Sequence, residues 1–277
     1  MFYLRLRDKV WPLDRPWILG IINVTPDSFS DGGEADTPEK ALARAEKLLK
    51  EGADILDIGA VSTRPGAPEV PETEECRRLI PALRAIRKAF PEVPISVDTF
   101  RGAIARAALE EGADLINDVS GGAWDPTLWP IVAHYQVPYI LMHIRGTPQT
   151  MQLNPHYENL IEEVWAYFVE KLQQLNAQGI HEVIIDPGFG FGKTIAHNYL
   201  LLKNLKLFRR LRRPILVGIS RKSMLWRILE VSPKETLWAS TALHWQALLS
   251  GARLFRVHDP LPLRHIFKLW EVWNSST

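Results

Sequence analysis

The chain has 277 residues, of which 46% are hydrophobic and 23% are charged, and this composition excludes long disorder, collagen and coiled coil. Its 33 Lys and Arg residues against 32 Asp and Glu leave a net charge of +1, so no overall field favours binding to nucleic acid or an anionic membrane. The single cysteine, Cys76, permits no internal disulfide, which is typical of a reducing compartment, and we expect a cytoplasmic location.

Residues 1–16 precede the first apolar run and contain Pro12 and Pro16. They alternate charged with apolar residues and lack the uninterrupted hydrophobic stretch of a signal peptide. We expect them to form a hairpin lid on the bottom of the domain that follows. The apolar runs elsewhere are far shorter than the roughly 20 residues that cross a bilayer, so no membrane partner is expected.

Eight short apolar runs end in a polar or charged residue near a turn containing Gly or Pro, a pattern that predicts buried parallel strands. The predicted strands are 17–23, 54–59, 94–99, 114–119, 138–143, 183–188, 214–220 and 253–258. Amphipathic stretches such as 38–52 and 100–112 lie between them, with Ala and Leu at helical spacing. The alternation predicts an α/β protein, a (β/α)8 TIM barrel forming one domain over residues 1–277.

A weak internal repeat supports this architecture. The segments EGADILDIG, EGADLINDV and SGARLFRVH each place a glycine between a helix end and the next strand. Glycine adopts the left-handed turn that stops a helix without steric cost, so we expect positive φ angles at these positions. The glycines of the three segments are Gly52, Gly112 and Gly251, and Gly179 stands at the corresponding place before the sixth predicted strand.

Polar side chains gather at the ends of the predicted strands, where the active sites of barrel enzymes are built. The residues are Asn23, Asp57, Asp98, Asn117, Asp118, His143, Asp186, Ser220, Arg256 and His258. A single Asp or Asn at a strand end is commonly the cap of the following helix. Capping does not easily explain nearly the whole set, so the sequence predicts an active site at this end of the barrel.

The glycine-rich segment DPGFGFGKT spans residues 186–194. It is not a phosphate loop, because Pro187 stands where that pattern needs its first glycine, and its glycine spacing does not fit a dinucleotide fingerprint. Three glycines instead allow a flat ligand to approach the backbone. The Asp186 carboxylate would then accept hydrogen bonds from the edge of that ligand.

Positive groups follow the last two predicted strands. SRKS at 220–223 opens a helix, and RVHD at 256–259 closes the eighth strand. Helix N-terminal amides together with Lys222, Arg256 and His258 would neutralise a diphosphate. The basic run at 203–213 is instead typical of a solvated outer helix, and we assign it no role.

These segments carry a specific resemblance. GIINVTPDSFSDGG, DIGAVSTRPGA, SVDT, NDVSGG, MHIRGTPQTMQ, DPGFGFGKT, GISRKS and RVHD occur in this order across nearly the whole chain. The chain resembles the dihydropteroate synthase family. The resemblance implies a (β/α)8 barrel, usually homodimeric, that joins p-aminobenzoate to 6-hydroxymethyl-7,8-dihydropterin diphosphate and releases pyrophosphate in folate synthesis. The main departure is Ala60-Val61, where many members have Gly-Glu.

The resemblance also implies roles for individual residues. The catalytic set is Asp98, Asp186, Lys222, Asp31 and Arg64. The residues implied to contact the pterin and its diphosphate are Thr63, Asp98, Asn117, Met142, Asp186, Gly190, Lys222, Arg256 and His258. The residues implied to form the p-aminobenzoate slot are Phe29, Arg64, Pro65, Phe191 and Ser223. Asn23 is the expected Mg²⁺ ligand, the loops at 23–33 and 62–67 are expected to close over the site, and sulfonamides are expected to compete for the slot.

Five tryptophans in the last 52 residues make the C-terminal helices rich in aromatic residues. We expect most of them to pack against the barrel, while the resemblance implies a dimer interface on the helices of this region, where Trp is commonly enriched. The five are Trp226, Trp238, Trp245, Trp270 and Trp273. Two other functions stay open, a pterin-dependent methyltransferase and a pterin-binding paralogue without catalysis. The methyltransferase needs no diphosphate cradle, so the segments STRPG, SRK and RVHD favour the synthase.

Overall fold

The computed structural model describes residues 2–7, 9–25 and 36–276. Strands β1 (Tyr3–Leu6) and β2 (Lys9–Pro12) pair antiparallel and form the expected hairpin. Leu4, Leu6 and Leu13 are buried in one cluster with residues from the N-terminal halves of the barrel strands. The hairpin therefore closes the bottom of the barrel, and the prediction of a lid there is confirmed.

Eight parallel strands follow, each within one of the predicted runs. They are β3 (Trp17–Asn23), β4 (Ile55–Gly59), β5 (Ile95–Asp98), β6 (Leu115–Asp118), β7 (Tyr139–Met142), β8 (Val183–Asp186), β9 (Leu216–Val217) and β10 (Leu254–Val257). Strands β3 to β8 pair in chain order, and β10 lies between β3 and β9. The predicted barrel is confirmed, while a single domain over residues 1–277 stays a prediction.

The barrel closes most weakly between β8 and β9. Their link is one parallel bridge between Ile185 and Ile215, in which the Ile185 N–H donates to the Pro214 carbonyl at 3.0 Å. Strand β9 has two residues, whereas the sequence predicted a strand over 214–220. Pro214 has no N–H to donate to a neighbouring strand, so the ladder does not begin at that residue.

Helices follow the strands in alternation. They are α1 (Pro38–Lys50), α2 (Glu72–Ala89), α3 (Gly102–Glu110), α4 (Leu128–Tyr135), α5 (Leu160–Ala177), α6 (Ile195–Lys203), α7 (Ser223–Leu229), α8 (Leu237–Leu249) and α9 (Pro260–Ser275). Within the described ranges, no helix is both long enough and apolar enough to cross a membrane. In the basic run, residues 205–211 form a 3-10 helix rather than the predicted α-helix, and its Leu205 and Phe208 are buried in the core.

The repeat glycines adopt the expected left-handed turns. Gly52 has φ of +99° and Gly251 has φ of +101°. A side chain at either position would also meet an arginine, since a Cβ would lie 2.6 Å from Arg264 at Gly52 and 2.5 Å from Arg209 at Gly251. Both the backbone conformation and the packing therefore require glycine.

The inner face of the barrel changes from apolar to polar along the strands. A layer beside the hairpin consists of Leu19, Ile55, Leu115, Ile140, Ile184, Leu216 and Leu254. Side chains two residues apart share a face of a strand. The next layer along the strands, whose side chains also face the barrel interior, therefore contains Asp57, Asn117, Met142, Asp186 and Arg256. This layer places charged groups at the carboxyl ends of the strands.

Candidate active site

Arg256 on β10 lies between two carboxylates from β4 and β5. Its Nε donates to Asp57 Oδ2 at 2.6 Å, and its Nη2 donates to Asp98 Oδ2 at 2.9 Å. Asp57 is fully buried and also accepts from Asn117 Nδ2 at 3.3 Å. Burial raises the pKa of Asp98 to about 7, an effect that Arg256 opposes and Asp57 reinforces. The floor of the site is thus a buried ionic network held by one guanidinium.

Asp186 lies across the barrel at the end of β8. Its Oδ1 accepts the Gly188 N–H at 2.8 Å, so the start of the glycine-rich segment is fixed against the carboxylate. Burial raises the pKa of Asp186, and the nearby Lys222 opposes that rise. A carboxylate in this position can accept hydrogen bonds from the amino and N–H edge of a flat heterocycle.

Lys222 follows β9 and lies against the glycine-rich segment. Its Nζ donates to the Phe189 carbonyl and lies 4.1 Å from the centre of the Phe191 ring. Burial lowers the pKa of Lys222 to about 8, while Asp186 opposes that change. A Cβ on Gly190 would lie 2.9 Å from Lys222 Cδ, so glycine there makes room for the lysine stem.

His258 and Arg44 lie where β10 leads into α9. His258 Nδ1 is 3.0 Å from Ser220 Oγ, and Arg44 Nη2 donates to the His258 carbonyl at 2.6 Å. Burial, with Arg221 and Arg256 adding to it, lowers the pKa of His258 well below its ordinary value. At neutral pH this imidazole is a neutral hydrogen-bonding group, so the positive charge here comes from arginine.

The loop after β4 carries three of the predicted site residues. Thr63 and Arg64 are half-buried, and Pro65 is exposed. The charge of Arg64 contributes to lowering the pKa of His258, which places the arginine near the end of β10. The Gly66 N–H donates to the Pro148 carbonyl at 3.0 Å, so this loop is tied to the loop after β7.

The described strand ends bring predicted site residues of all three kinds, for the pterin diphosphate, the p-aminobenzoate slot and the metal, to one end of the barrel. Those on or directly after strands are Asn23, Asp98, Asn117, Met142, Asp186, Arg256 and His258, and Gly190, Phe191, Lys222 and Ser223 lie on the following loops or at a helix start. Phe29 and Asp31 lie outside the described residues. The individual roles of all these residues stay predictions.

Three residues near this site had no role in the sequence analysis. The sequence predicts Asp57 only as a strand-end residue, although the alternation that points Ile55 toward the barrel interior points Asp57 the same way. Arg44 is buried on α1 between the core residues Ala41 and Ala45. A charged residue on the apolar face of a helix is unusual, and this was the one signal in the sequence. Lys193 is buried beneath the glycine-rich segment, and no sequence signal separates it from an exposed lysine.

The chain is similar to pterin-binding proteins over most of its length. The family model described as "Pterin binding enzyme" matches residues 19–258. A dihydropteroate synthase from Synechocystis sp. is 43% identical over 258 residues, covering 92% of this chain and 89% of that protein. One from Haemophilus influenzae is 41% identical over 99% of both chains.

Solved structures of dihydropteroate synthases are also similar to this chain. The Yersinia pestis dihydropteroate synthase in a sulfonamide drug complex superposes with a TM-score of 0.96 at 39% identity, covering 99% of this chain and 100% of that one. The chain belongs to the pterin-binding enzymes and, among them, to the dihydropteroate synthase family. It is accordingly a transferase of folate synthesis. These matches do not favour a pterin-dependent methyltransferase.

Proposed function

We propose that this site joins p-aminobenzoate to 6-hydroxymethyl-7,8-dihydropterin diphosphate, giving 7,8-dihydropteroate and pyrophosphate. The observation that carries the proposal is the placement of two carboxylates, the half-buried Asp98 and the buried Asp186, beside the cations Arg256 and Lys222. Thermus thermophilus dihydropteroate synthase has been solved with 4-aminobenzoate and with 6HMPPP. Those ligands support small-molecule substrates of the same classes here.

The reaction we propose begins with loss of the leaving group. The bond between the methylene carbon and the diphosphate oxygen breaks, and its electron pair leaves with pyrophosphate. Asp98 and Asp186 stabilise the positive charge that spreads over the pterin ring, while Arg256 and Lys222 stabilise the departing anion. The arylamine nitrogen then forms the new bond to carbon and loses a proton to solvent.

We place the arylamine against Phe191, in the slot that Arg64, Pro65 and Ser223 complete. The Phe191 ring, held under Lys222, offers a flat apolar wall to the benzoate ring. The Yersinia pestis structure contains a sulfonamide drug, and we propose that sulfonamides bind this slot in competition with p-aminobenzoate.

The test is a coupled assay of pyrophosphate release from the purified chain, with and without p-aminobenzoate. We expect pyrophosphate and dihydropteroate in equal amounts when both substrates are present. A methyltransferase would release no pyrophosphate, and a binding paralogue would bind the pterin without turnover. Either result would refute the proposed function.

We further propose that Mg²⁺ takes part, with Asn23 as its protein ligand. Asn23 ends β3 on the rim that also carries Arg256 and His258, and its amide oxygen is a hard donor of the kind Mg²⁺ accepts. Within the described residues, no three His, Cys, Asp or Glu side chains are grouped as a metal site. A single protein oxygen is compatible with an ion whose other ligands are diphosphate oxygens and water. When bound, the ion would neutralise charge on the leaving group.

Removal of divalent ions is expected to abolish turnover. The protein would be treated with a chelator, dialysed and assayed before and after Mg²⁺ is restored. Asn23→Ala should need a higher Mg²⁺ concentration for half-maximal rate, because one ligand is lost. Full activity in chelated protein with no added ion would contradict the metal role.

We also propose a homodimer built on α8 and α9. Trp238, Ala242, Trp245 and Leu249 share one face of α8 at spacings of four and three residues. Trp238 is 78% exposed, and Trp273 on α9 is 65% exposed while its ring packs edge-on against Trp245. Two adjacent helices thus present contiguous aromatic surface, which is typical of an interface between subunits.

Light scattering on the purified protein is expected to give twice the chain mass of 31.5 kDa. Trp273→Asp should shift the protein to monomer, since a charge at the centre of an apolar interface is costly to desolvate. Val10→Asp on the hairpin is the matched control, as Val10 is equally exposed at 65%. A monomeric wild-type protein at micromolar concentration would contradict the proposal.

We propose a cytoplasmic location for this enzyme. The one cysteine, Cys76, is half-buried on α2 and has no second cysteine to pair with, which suits a reducing compartment. Cell fractionation followed by immunodetection would test the location, and recovery of the protein outside the cytoplasmic fraction would contradict it.

A further inference from the structure

Lys193 places its ammonium group beneath the glycine-rich segment, and the residue is only 2% exposed. Its Nζ lies 3.0 Å from the carbonyl oxygens of Gly188 and Phe191. It also lies 3.3 Å from the His143 carbonyl oxygen and 2.9 Å from His143 Nδ1. An ammonium group has three donors, so these acceptors satisfy it completely. Lys193 therefore acts on the segment above it and leaves no donor for a ligand.

These contacts tie the segment after β8 to the end of β7. A Cβ on Gly188 would lie 1.9 Å from the His143 carbonyl oxygen, which shows how closely the two backbones approach. The held segment contains the Phe189 carbonyl that accepts from Lys222 and the Phe191 ring that lies beneath it. The segment that Lys193 contacts therefore carries the proposed wall of the p-aminobenzoate slot and a hydrogen-bond acceptor of Lys222.

The charge of Lys193 also acts on Asp186. Burial raises the pKa of that carboxyl, and the groups that oppose the rise are Lys222 after β9, the Gly188 N–H, Lys193 and Arg256 on β10. Burial lowers the pKa of Lys193 to about 7; Asp186 opposes that change, and the positive charges of Lys222 and Arg145 add to it. His143 stays neutral because burial, with Lys193 and Arg145 adding to it, lowers its pKa well below the ordinary value. Its Nδ1 can then accept from the ammonium group.

We propose that Lys193 is a positioning residue for the reaction: its ammonium group, hydrogen-bonded to the Gly188, Phe191 and His143 carbonyl oxygens, holds residues 188–191 in place for substrate binding. A buried ammonium is costly unless it is paired and hydrogen-bonded. Here the hydrogen bonds go to the segment that shapes the site, and the counter-charge is the carboxylate proposed to bind the pterin. The inference rests on the proposed function and deepens it.

Two substitutions separate the positioning effect from the charge effect. Lys193→Met keeps the length of the side chain and removes both the charge and the donors. Lys193→Gln removes the charge and keeps two N–H donors. KM for p-aminobenzoate and the pH profile of kcat/KM for the pterin diphosphate are measured for each variant.

We expect Lys193→Met to raise KM for p-aminobenzoate about tenfold, because Phe191 loses its support. We also expect the acid limb of the pterin profile to move about one pH unit upward, since loss of a nearby cation raises the pKa of Asp186. As the pH is lowered, the variant therefore loses activity at a higher pH than the wild type does. Lys193→Gln should have a KM for p-aminobenzoate between those of the wild type and Lys193→Met, because its amide still donates hydrogen bonds. Its acid limb should be shifted as in Lys193→Met, because the charge is absent in both variants.

Lys203→Met, at the exposed end of α6, is the control and should leave both readouts unchanged. Wild-type KM and an unmoved acid limb in the Met and Gln variants would overturn the proposal. A fall in kcat alone, or failure of both variants to fold by circular dichroism, would show a purely structural role and overturn it too. Absence of turnover in the wild-type protein would instead refute the proposed function on which the inference rests.

Discussion

Asp186→Asn is expected to reduce kcat/KM for the pterin diphosphate by about a thousandfold or more while the protein remains folded. Asparagine keeps the shape of the side chain and an oxygen for the Gly188 N–H. It removes the negative charge that stabilises the developing cation, and its amide cannot accept two hydrogen bonds from the pterin edge through paired oxygens. Steady-state kinetics and thermal unfolding would be measured on the same preparations. Asp98→Asn should behave in the same way.

Asp114→Asn is the matched control for this substitution. Asp114 is also a buried aspartate beside a barrel strand, but it lies at the opposite end, where it accepts from Arg87 at 2.6 Å and from the Ile95 N–H at 2.7 Å. Its loss should lower the free energy of unfolding and leave kcat/KM within a few-fold of wild type. Near-normal turnover in both Asp98→Asn and Asp186→Asn would refute the assignment of the pterin pocket.

Arg256→Met is expected to lower the free energy of unfolding by about 3–5 kcal/mol and to abolish turnover. Asp57 has no exposed surface, and among the described residues it would keep only the weak contact from Asn117. Asp98 would lose the group that opposes the rise in its pKa and would be protonated over a wider pH range. Urea unfolding gives the stability change, and the pyrophosphate assay gives the loss of activity.

A double substitution separates the unpaired charge from the loss of packing. Asp57→Asn combined with Arg256→Met removes the buried charge together with its partner, so it should be more stable than Arg256→Met alone. Turnover should remain absent, because the cation for the leaving group is still missing. Equal stability of Arg256→Met and wild type would contradict the buried network.

The order of elements could be read from the sequence because it depends on local patterns. Apolar runs that end in polar residues predicted each barrel strand, and glycines such as Gly52 and Gly251 predicted where helices stop, since only glycine adopts those turns freely. The alternation of side chains along β4 also indicates that Asp57 points into the barrel, although the sequence pattern assigns Asp57 no role. The family motifs identified the class of substrate.

Local sequence patterns are enough to predict the barrel, the hairpin beneath it, the end at which the site lies and the family. The folded chain establishes which charges meet: Arg256 with Asp57 and Asp98, 199 and 158 residues away, and Lys193 with His143, 50 residues away. It also establishes that β9 pairs over two residues only. These contacts depend on strand register and on how the barrel closes, and those are set by packing among all eight strands rather than by any local run of residues.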